Sequence, residues 1–301
     1  MRVAVTGASG FVGGAIATAL AERGHDVTGF GRAPAGWHGN YEQWDITDGV
    51  RALSSDAVVH CAALADDWAP LSQSLRVNRL GTRTVVASFP GARVVHLSTS
   101  SVYDAFVPNV RVRESQIATR FLNSYPESKA AAEAEVGDNA VILRPHAVYG
   151  PGDTTLLPRL VAGVRGRRLV LPEGAKVRHT LTHIDNLVDA AELALTGPVG
   201  TYNIGDDGDV LLSDVLRELL DRRGLRDVAI ASIPYRAAFA TAGALEAIHR
   251  ATGRGPGAAA PRLTRYAVSQ LGLERTLDLT AARNALGYSP RPTSLANAEQ
   301  W

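Results

Sequence analysis

The 301-residue sequence is poor in cysteine and lysine, in charge of either sign taken net, and in long apolar runs. Its single cysteine, Cys61, excludes an internal disulfide and a cysteine-cluster metal site. No segment reaches the roughly 18 consecutive apolar residues of a membrane span, so no membrane partner is expected. No signal peptide precedes the first apolar segment, and a reducing, cytoplasmic location is expected. The formal net charge is only +1, with no basic stripe and no aromatic–basic interleaving, which argues against a nucleic-acid partner. There is no His-Glu-x-x-His pattern or similar ligand cluster, so no metal is expected. No internal repeat is visible. What remains is an ordinary globular composition, 46% hydrophobic, in a chain long enough for one large α/β domain with an added lobe, or two modest domains.

Lysine is the scarcest basic residue: Lys129 and Lys176 stand against 29 arginines. Lys129 closes the run Ser124-Tyr125-Pro126-Glu127-Ser128-Lys129. An ammonium is a compact charge with rotatable donors, whereas a guanidinium is a wide planar fork. Positions i and i+4 share a helix face, so the ammonium is placed beside the Tyr125 phenol. A nearby cation favours phenolate and lowers a pKa that starts near 10. A phenol tuned in this way can exchange a proton with a substrate oxygen. The alternative reading is an exposed aromatic beside a solvated charge.

The amino terminus weighs on that choice. Arg2-Val3-Ala4-Val5 reads as a buried strand, and Ala15 to Arg23 as a helix with Ile16 and Leu20 on one face and Gly24 as its stop. Between them runs Thr6-Gly7-Ala8-Ser9-Gly10-Phe11-Val12-Gly13-Gly14. A strand, a glycine turn and a helix start let backbone N–H groups and the helix dipole meet a pyrophosphate. His25 to Phe30 reads as the second strand. At its end, where an acidic residue would take a ribose 2′-hydroxyl, stand Gly31 and Arg32. An arginine without the carboxylate suits a 2′-phosphate, so NADP is favoured over NAD, with NAD retained as the second choice.

Strand and helix patterns alternate through the first half, as parallel βαβ units require. Asp56 to Ala63, Arg93 to Ser98 and Ala140 to Arg144 read as further strands. Ligands gather at the carboxyl ends of such strands, here Gly7, Gly31, Ala62, Thr99 and Pro145, which predicts one cleft. Beyond about residue 146 proline and glycine become frequent, and Arg250 to Pro261 reads as a mobile loop. The expected fold is a Rossmann-type doubly wound parallel α/β sheet with a smaller carboxyl-terminal substrate lobe. Residues 1–146, with return segments near 176–204, form the cofactor domain; 147–175 and 205–301 form the lobe.

Taken in order, six segments resemble the extended short-chain dehydrogenase/reductase family of NAD(P)-dependent epimerases, dehydratases and reductases. Thr6 to Gly13 is similar to its TGxxGxxG turn, and His60-Cys61-Ala62-Ala63 to its strand-four motif. Val77-Asn78-Arg79-Leu80-Gly81-Thr82 matches VNxxGT, and Leu97 to Tyr103 resembles the active-site strand. Tyr125-x-x-Ser128-Lys129 fits YxxSK, and Arg144 to Gly152 resembles RPxxVYGPG. The resemblance implies Tyr125 as general acid/base, Lys129 as the group that lowers its pKa and holds the nicotinamide ribose, and Thr99 as hydrogen-bond partner of the reacting oxygen. It implies cofactor contacts from Gly7, Ser9, Gly10, Phe11, Val12, Gly13, Arg32, Asp45, Ile46, Cys61, Ala62, Ala63, Asn78, Pro145, His146 and Val148. Asp45 and Ile46 would flank the adenine; read without the family, Asp45 is a polar residue closing a strand. Family members are often dimers, so the resemblance allows a homodimer, but the sequence locates no interface patch and leaves the oligomeric state open.

Pro261 to Tyr266 and Asp278 to Pro290 are similar to the ends of 3β-hydroxysteroid dehydrogenase-like members. Nucleotide-sugar members often carry an arginine that clamps a diphosphate. Here His179 holds that place and Arg178 lies one residue off, which weakens a sugar-nucleotide reading. The expected activity is therefore NADP-dependent hydride transfer at a carbonyl or alcohol carbon of a small or apolar metabolite. A nucleotide-sugar epimerase or dehydratase with tightly bound NAD is the alternative, and a non-catalytic NADP sensor a third. Arg165, Arg167 and Arg168 could meet an anion or form a solvated turn. His183 and Asp185 are expected to orient a strand end and cap the helix starting near Asn186. Cys61 is expected to be a small hydrophobe lining the cofactor groove. Phe239, Ala242, Leu245 and Ile248 have helical spacing and are expected to face a core or pocket.

Overall fold

Seven parallel strands form the central sheet of the computed structural model, which describes residues 1–34, 37–153, 161–253 and 258–301. They are β1 (Arg2–Thr6), β2 (Asp26–Gly31), β3 (Asn40–Gln43), β4 (Ala57–His60), β5 (Arg93–Leu97), β6 (Ala140–Pro145) and β7 (Gly200–Ile204). Their spatial order is β7-β6-β5-β4-β1-β2-β3. Strand order reverses between β1 and β4, which opens a crevice above their carboxyl ends.

Alternation along each strand assigns the two faces. Val3 and Val5, Ala57 and Val59, and Val141 and Leu143 pack into one core beneath Ile16 and Leu20 of α1 (Phe11–Glu22). Ala4, Val58, Val94 and Ala140 point the other way, into a core with Phe30, Val85 and Phe89. Both faces are covered, so the strands read as continuous apolar runs with no polar side. The helix on the second face begins as α2 (Leu71–Ser74), widens into a π-helical segment (Leu75–Leu80) and closes as α3 (Gly81–Ser88). Such π segments often occur at functional positions. This one carries Asn78, whose side chain donates to Ser128 Oγ at 2.8 Å and accepts from the Leu64 N–H at 2.7 Å. The π segment packs against α4 (Ser124–Glu133), the helix that carries Tyr125 and Lys129.

β6 leads out of the sheet, and the chain returns through α5 (Ile184–Thr196) and β7. His183 caps α5 by accepting from the Asp185 N–H, as expected of that pair. The chain beyond β7 carries α6 (Leu212–Arg222), α7 (Tyr235–Ala251) and α8 (Arg265–Gly272). One short strand from the first half, Asn109–Val112, pairs in parallel with Arg275–Leu277 near the carboxyl end.

Two expectations for this half need correction. Arg250 and Ala251 are the last turn of α7 rather than loop, because the helical pattern outlasts the apolar one; residues 254–257 of the expected loop lie outside the described residues. On α7, Ala242 is fully buried and Phe239 packs beside it, but Ile248 is 57% exposed. The buried polar residue of that helix is Glu246, which accepts from Arg265 N at 2.8 Å and from Arg265 Nε at 2.9 Å at the start of α8. The helix turns its face to satisfy that carboxylate. Arg165 and Arg167 are also spent locally, Arg165 on the carbonyls of Ala162 and Val164, Arg167 on Asp227.

Candidate active site

The glycine turn is shaped by close backbone contact. Gly7 has φ +72°, and a Cβ there would lie 2.8 Å from the Ala62 nitrogen. A Cβ on Gly13 would lie 2.2 Å from the Gly7 oxygen. Gly10 is the N-cap of α1 and no side chain caps it. The N–H groups of Phe11, Val12 and Gly13 are thus left for a ligand, with the positive end of the helix dipole behind them. These are the requirements of a pyrophosphate, and the turn fits a dinucleotide. Replacing Gly13 with alanine is expected to weaken cofactor binding at least about tenfold and to cost about 1–3 kcal/mol of stability, measurable by fluorescence titration and urea unfolding.

At the end of β2, Gly31 lies against Ser9: a Cβ at Gly31 would be 2.9 Å from Ser9 Oγ. Arg32 follows, exposed, its carbonyl bonded by Gln43. Asp45 accepts from the Thr47 N–H and hydroxyl, each at 2.9 Å. The Thr47 N–H chiefly holds the Asp45 carboxyl below the usual range, and Arg32 and Arg76 act in the same direction. Arg76, on the π segment, thus joins Arg32 at this rim. No sequence pattern pointed to it. Ile46 is buried against Gly81. Cys61 and Ala62 sit beyond β4, where the Ala62 N–H donates to Thr6 Oγ1 at 3.3 Å; Ala63 follows in the same segment. Burial pushes the Cys61 thiol up to about 12, which makes it the inert hydrophobe expected.

The residues expected to carry chemistry lie just beyond β5 and on α4. Thr99 follows β5 and caps a short turn: its Oγ1 accepts from Ser101 N at 3.1 Å and lies 3.1 Å from Ser101 Oγ. Asn123 caps α4 by accepting from Tyr125 N at 3.1 Å, which fixes the start of the helix and the phenol with it. Burial raises the Tyr125 pKa, and a hydrogen bond from the Thr99 hydroxyl opposes that rise. Lys129 is 3% exposed. Its Nζ donates to the Leu97 carbonyl at 2.6 Å and lies 3.3 Å from His96 Nε2. Burial lowers Lys129 to about 8.

The sequence placed Lys129 as the group that lowers Tyr125. The structure differs: the ammonium is turned to the end of β5, and the phenol is raised. The two residues stand one helical turn apart on α4, but the strand carbonyl, which needs a donor, takes the ammonium. His96 is a neutral acceptor for it, because burial holds its pKa well below the ordinary histidine value, with the Lys129 charge and His60 adding to the effect.

Pro145 closes β6 as expected, and Val148, in the short strand Val148–Tyr149 beyond it, packs on the α1-side core. His146 is committed elsewhere. Its ring bonds Ser100 Oγ at 2.9 Å and His179 Nδ1 at 3.0 Å, and its N–H and C=O both meet the Thr182 hydroxyl. His179 is therefore buried, and Arg178 donates to the Asp209 carbonyl. One active-site neighbour went unassigned in the sequence. Tyr266, on α8, reaches Ser101 Oγ at 2.7 Å across 165 positions, and no local signal could announce it.

A family model described as the NAD dependent epimerase/dehydratase family matches residues 3–205. The 4-hydroxy-2-methyl-3-oxo-4-farnesyl-3,4-dihydroquinoline-1-oxide ketoreductase of Stigmatella aurantiaca is 34% identical over 97% of this chain and 93% of its own. The 3 beta-hydroxysteroid dehydrogenase/Delta 5-->4-isomerase of Mycobacterium tuberculosis is 29% identical over 96% of this chain and 86% of its own. Among solved structures, a short-chain dehydrogenase/reductase superfamily protein from Agrobacterium tumefaciens with bound NAD superposes with a TM-score of 0.69 at 20% identity, covering 100% of this chain and 95% of its own, a likeness of fold. Glycine turn, sheet order and relatives agree: the chain belongs to the NAD dependent epimerase/dehydratase family and is an NAD(P)-dependent oxidoreductase.

Proposed function

We propose that the protein is an NADP-dependent oxidoreductase acting on a carbonyl or alcohol carbon of a small or apolar metabolite, with Tyr125 as general acid/base. The observation that carries this reading is the Tyr125 phenol beside the Thr99 hydroxyl, one helical turn from the buried Lys129, whose ammonium donates at the carboxyl end of β5. When bound, the nicotinamide supplies or accepts the hydride. The protein does the rest. Thr99 donates to the reacting oxygen, and Tyr125 gives it a proton as it gains charge. Lys129 holds the ribose hydroxyls from the floor of the site. Because burial keeps Tyr125 protonated at neutral pH, the site is suited to reduction of a ketone. The names of the relatives, a ketoreductase and a hydroxysteroid dehydrogenase, support this class of substrate.

In this reading residues 1–146 and 176–204 hold the cofactor, and 147–175 and 205–301 cover the substrate. Arg32 and Arg76 take the 2′-phosphate of NADP. The nucleotide-sugar alternative finds less support, since the arginine place is held by buried His179.

NADPH and NADH titrations of the wild type and Arg32→Ala, followed by a carbonyl panel, test this. Arg32→Ala is expected to lower NADPH affinity about tenfold or more, the worth of one charge-assisted hydrogen bond, and to leave NADH unchanged. Tighter binding of NADH than NADPH by the wild type, or NAD retained through purification with no net NADPH consumption, would overturn it.

A further inference from the structure

Three neighbouring strands end in a polar row. On the sheet face covered by α3, Ala4, Val58 and Val94 are register partners in an apolar core. Two residues further along each strand, on the same face, stand Thr6, His60 and His96, paired in the same register and all buried. Thr6 and His60 belong to a closed hydrogen-bond network. Thr82 Oγ1 donates to the Asn78 carbonyl at 2.6 Å, so it accepts from His60 Nε2, 2.9 Å away. His60 Nδ1 is left to accept from Thr6 Oγ1 at 2.7 Å, and Thr6 Oγ1 accepts the Ala62 N–H. The His96 ring lies beside His60, with centroids 5.3 Å apart, but outside that network. Its one hydrogen-bond partner among the described residues is Lys129.

That contact has a fixed sense. An ammonium only donates, so His96 Nε2, 3.3 Å from Lys129 Nζ, accepts, and the ring proton sits on Nδ1. There it meets no acceptor among the described residues. A buried N–H without a partner costs stability that a leucine in this apolar strand would not. The histidine is therefore explained by Lys129 and not by the strand. Lys129 in turn donates to no carboxylate among the described residues. His96 faces it from β5, His60 from β4 and Cys61 from the segment after β4, and burial keeps all three neutral. Glu133, one turn along α4, is taken by Arg144 and Ser98. Two of the three ammonium N–H groups are thus spent, on the Leu97 carbonyl at 2.6 Å and on His96, and one is left.

We propose that His96 is the positioning residue for Lys129: with the Leu97 carbonyl it pins two of the ammonium N–H groups, so that the third is presented to the nicotinamide ribose hydroxyls of the cofactor. This rests on the function proposed above, in which Lys129 holds that ribose. Without the imidazole the buried charge keeps a single acceptor, and the ammonium is both freer to turn and easier to deprotonate.

Two measurements on the full chain test this. The first needs no cofactor. The sequence has only two lysines, so carbon-13 lysine NMR gives two Cε signals, told apart by Lys129→Met. Burial lowers Lys129 to about 8, and its Cε signal should titrate there in the wild type. In His96→Leu the midpoint should fall by about one pH unit or more, the worth of one charge-assisted hydrogen bond, and His96→Gln, whose Oε1 accepts, should restore most of it. Nitrogen-15 histidine spectra of the wild type should show His96 as the Nδ1–H tautomer. The second measurement is fluorescence titration with NADPH and with NADH. Wild-type affinity should weaken as pH rises through the Lys129 midpoint, because the ammonium is lost. His96→Leu should bind both cofactors about three- to tenfold more weakly at neutral pH, since the nicotinamide ribose is common to them. It should add nothing to the loss in Lys129→Met, a coupling that a packing role would not give. An Nε2–H tautomer, an unmoved Cε midpoint or unchanged cofactor affinity in His96→Leu, or a loss that adds to that of Lys129→Met would overturn the proposal. The wild-type tautomer decides it even if His96→Leu fails to fold. Full turnover in Tyr125→Phe would instead remove the underlying reading and leave the tautomer and the Cε midpoints as they are, which separates the two failures.

Discussion

Replacing Tyr125 with phenylalanine is expected to lower ketone turnover by about 10²–10⁴-fold, the usual worth of a positioned acid/base group, while cofactor affinity stays within about twofold. The substitution deletes one oxygen. The ring remains packed at the start of α4, held by the Asn123 cap, and the cofactor-facing glycine turn lies on other strands. Thr99 keeps its bond to the Ser101 N–H, so the residual rate should report hydrogen bonding by Thr99 without proton transfer. The pH dependence carries the sign. Burial raises Tyr125, so the protonated phenol needed for reduction persists through neutral pH, and the rate falls only as pH rises toward its pKa. That limb should vanish in Tyr125→Phe. Stopped-flow turnover and cofactor fluorescence measure both. A variant that turns over at the wild-type rate would leave Tyr125 without a chemical role.

The second large effect concerns stability. Arg144 and Glu133 form a buried pair at 2.6 Å, with side chains 2% and 7% exposed. Arg144 also donates to Tyr103 Oη at 3.2 Å and to the Glu114 carbonyl at 2.7 Å, and Glu133 accepts from Ser98. The pair ties β6 to the end of α4, and so fixes the helix that presents Tyr125 and Lys129. Arg144→Met is expected to destabilise the fold by about 3–5 kcal/mol, because it leaves a carboxylate in the interior with its main partner gone. Arg144→Met combined with Glu133→Leu should recover much of that loss, since two apolar groups leave no stranded charge. Urea unfolding of the three proteins decides it. A loss under about 1 kcal/mol for Arg144→Met would mean that water reaches Glu133, contrary to its burial.

The sheet and its glycine turn were readable because their signals are local. Val3, Val5 and Ala4 take opposite faces by simple alternation, and Gly7 and Gly13 mark a turn whose crowding only glycine tolerates. The site was readable as far as motifs reach, which is why Thr99, just beyond β5, lies within hydrogen-bonding reach of Tyr125 on α4. The orientation of Lys129 was not readable, because it depends on a carbonyl at Leu97 and a ring at His96, 32 and 33 positions away. Glu246 shows the same limit. Helical spacing favoured Ile248, but the partner that buries Glu246 is Arg265, on another helix. Contacts made only by the finished fold, Tyr266 on Ser101 above all, have no periodicity to betray them.

The pairing of Asn109–Val112 with Arg275–Leu277 has a mechanical consequence. It stitches the first half of the polypeptide to its tail by backbone hydrogen bonds. Any movement that separates these two strands must tear that seam.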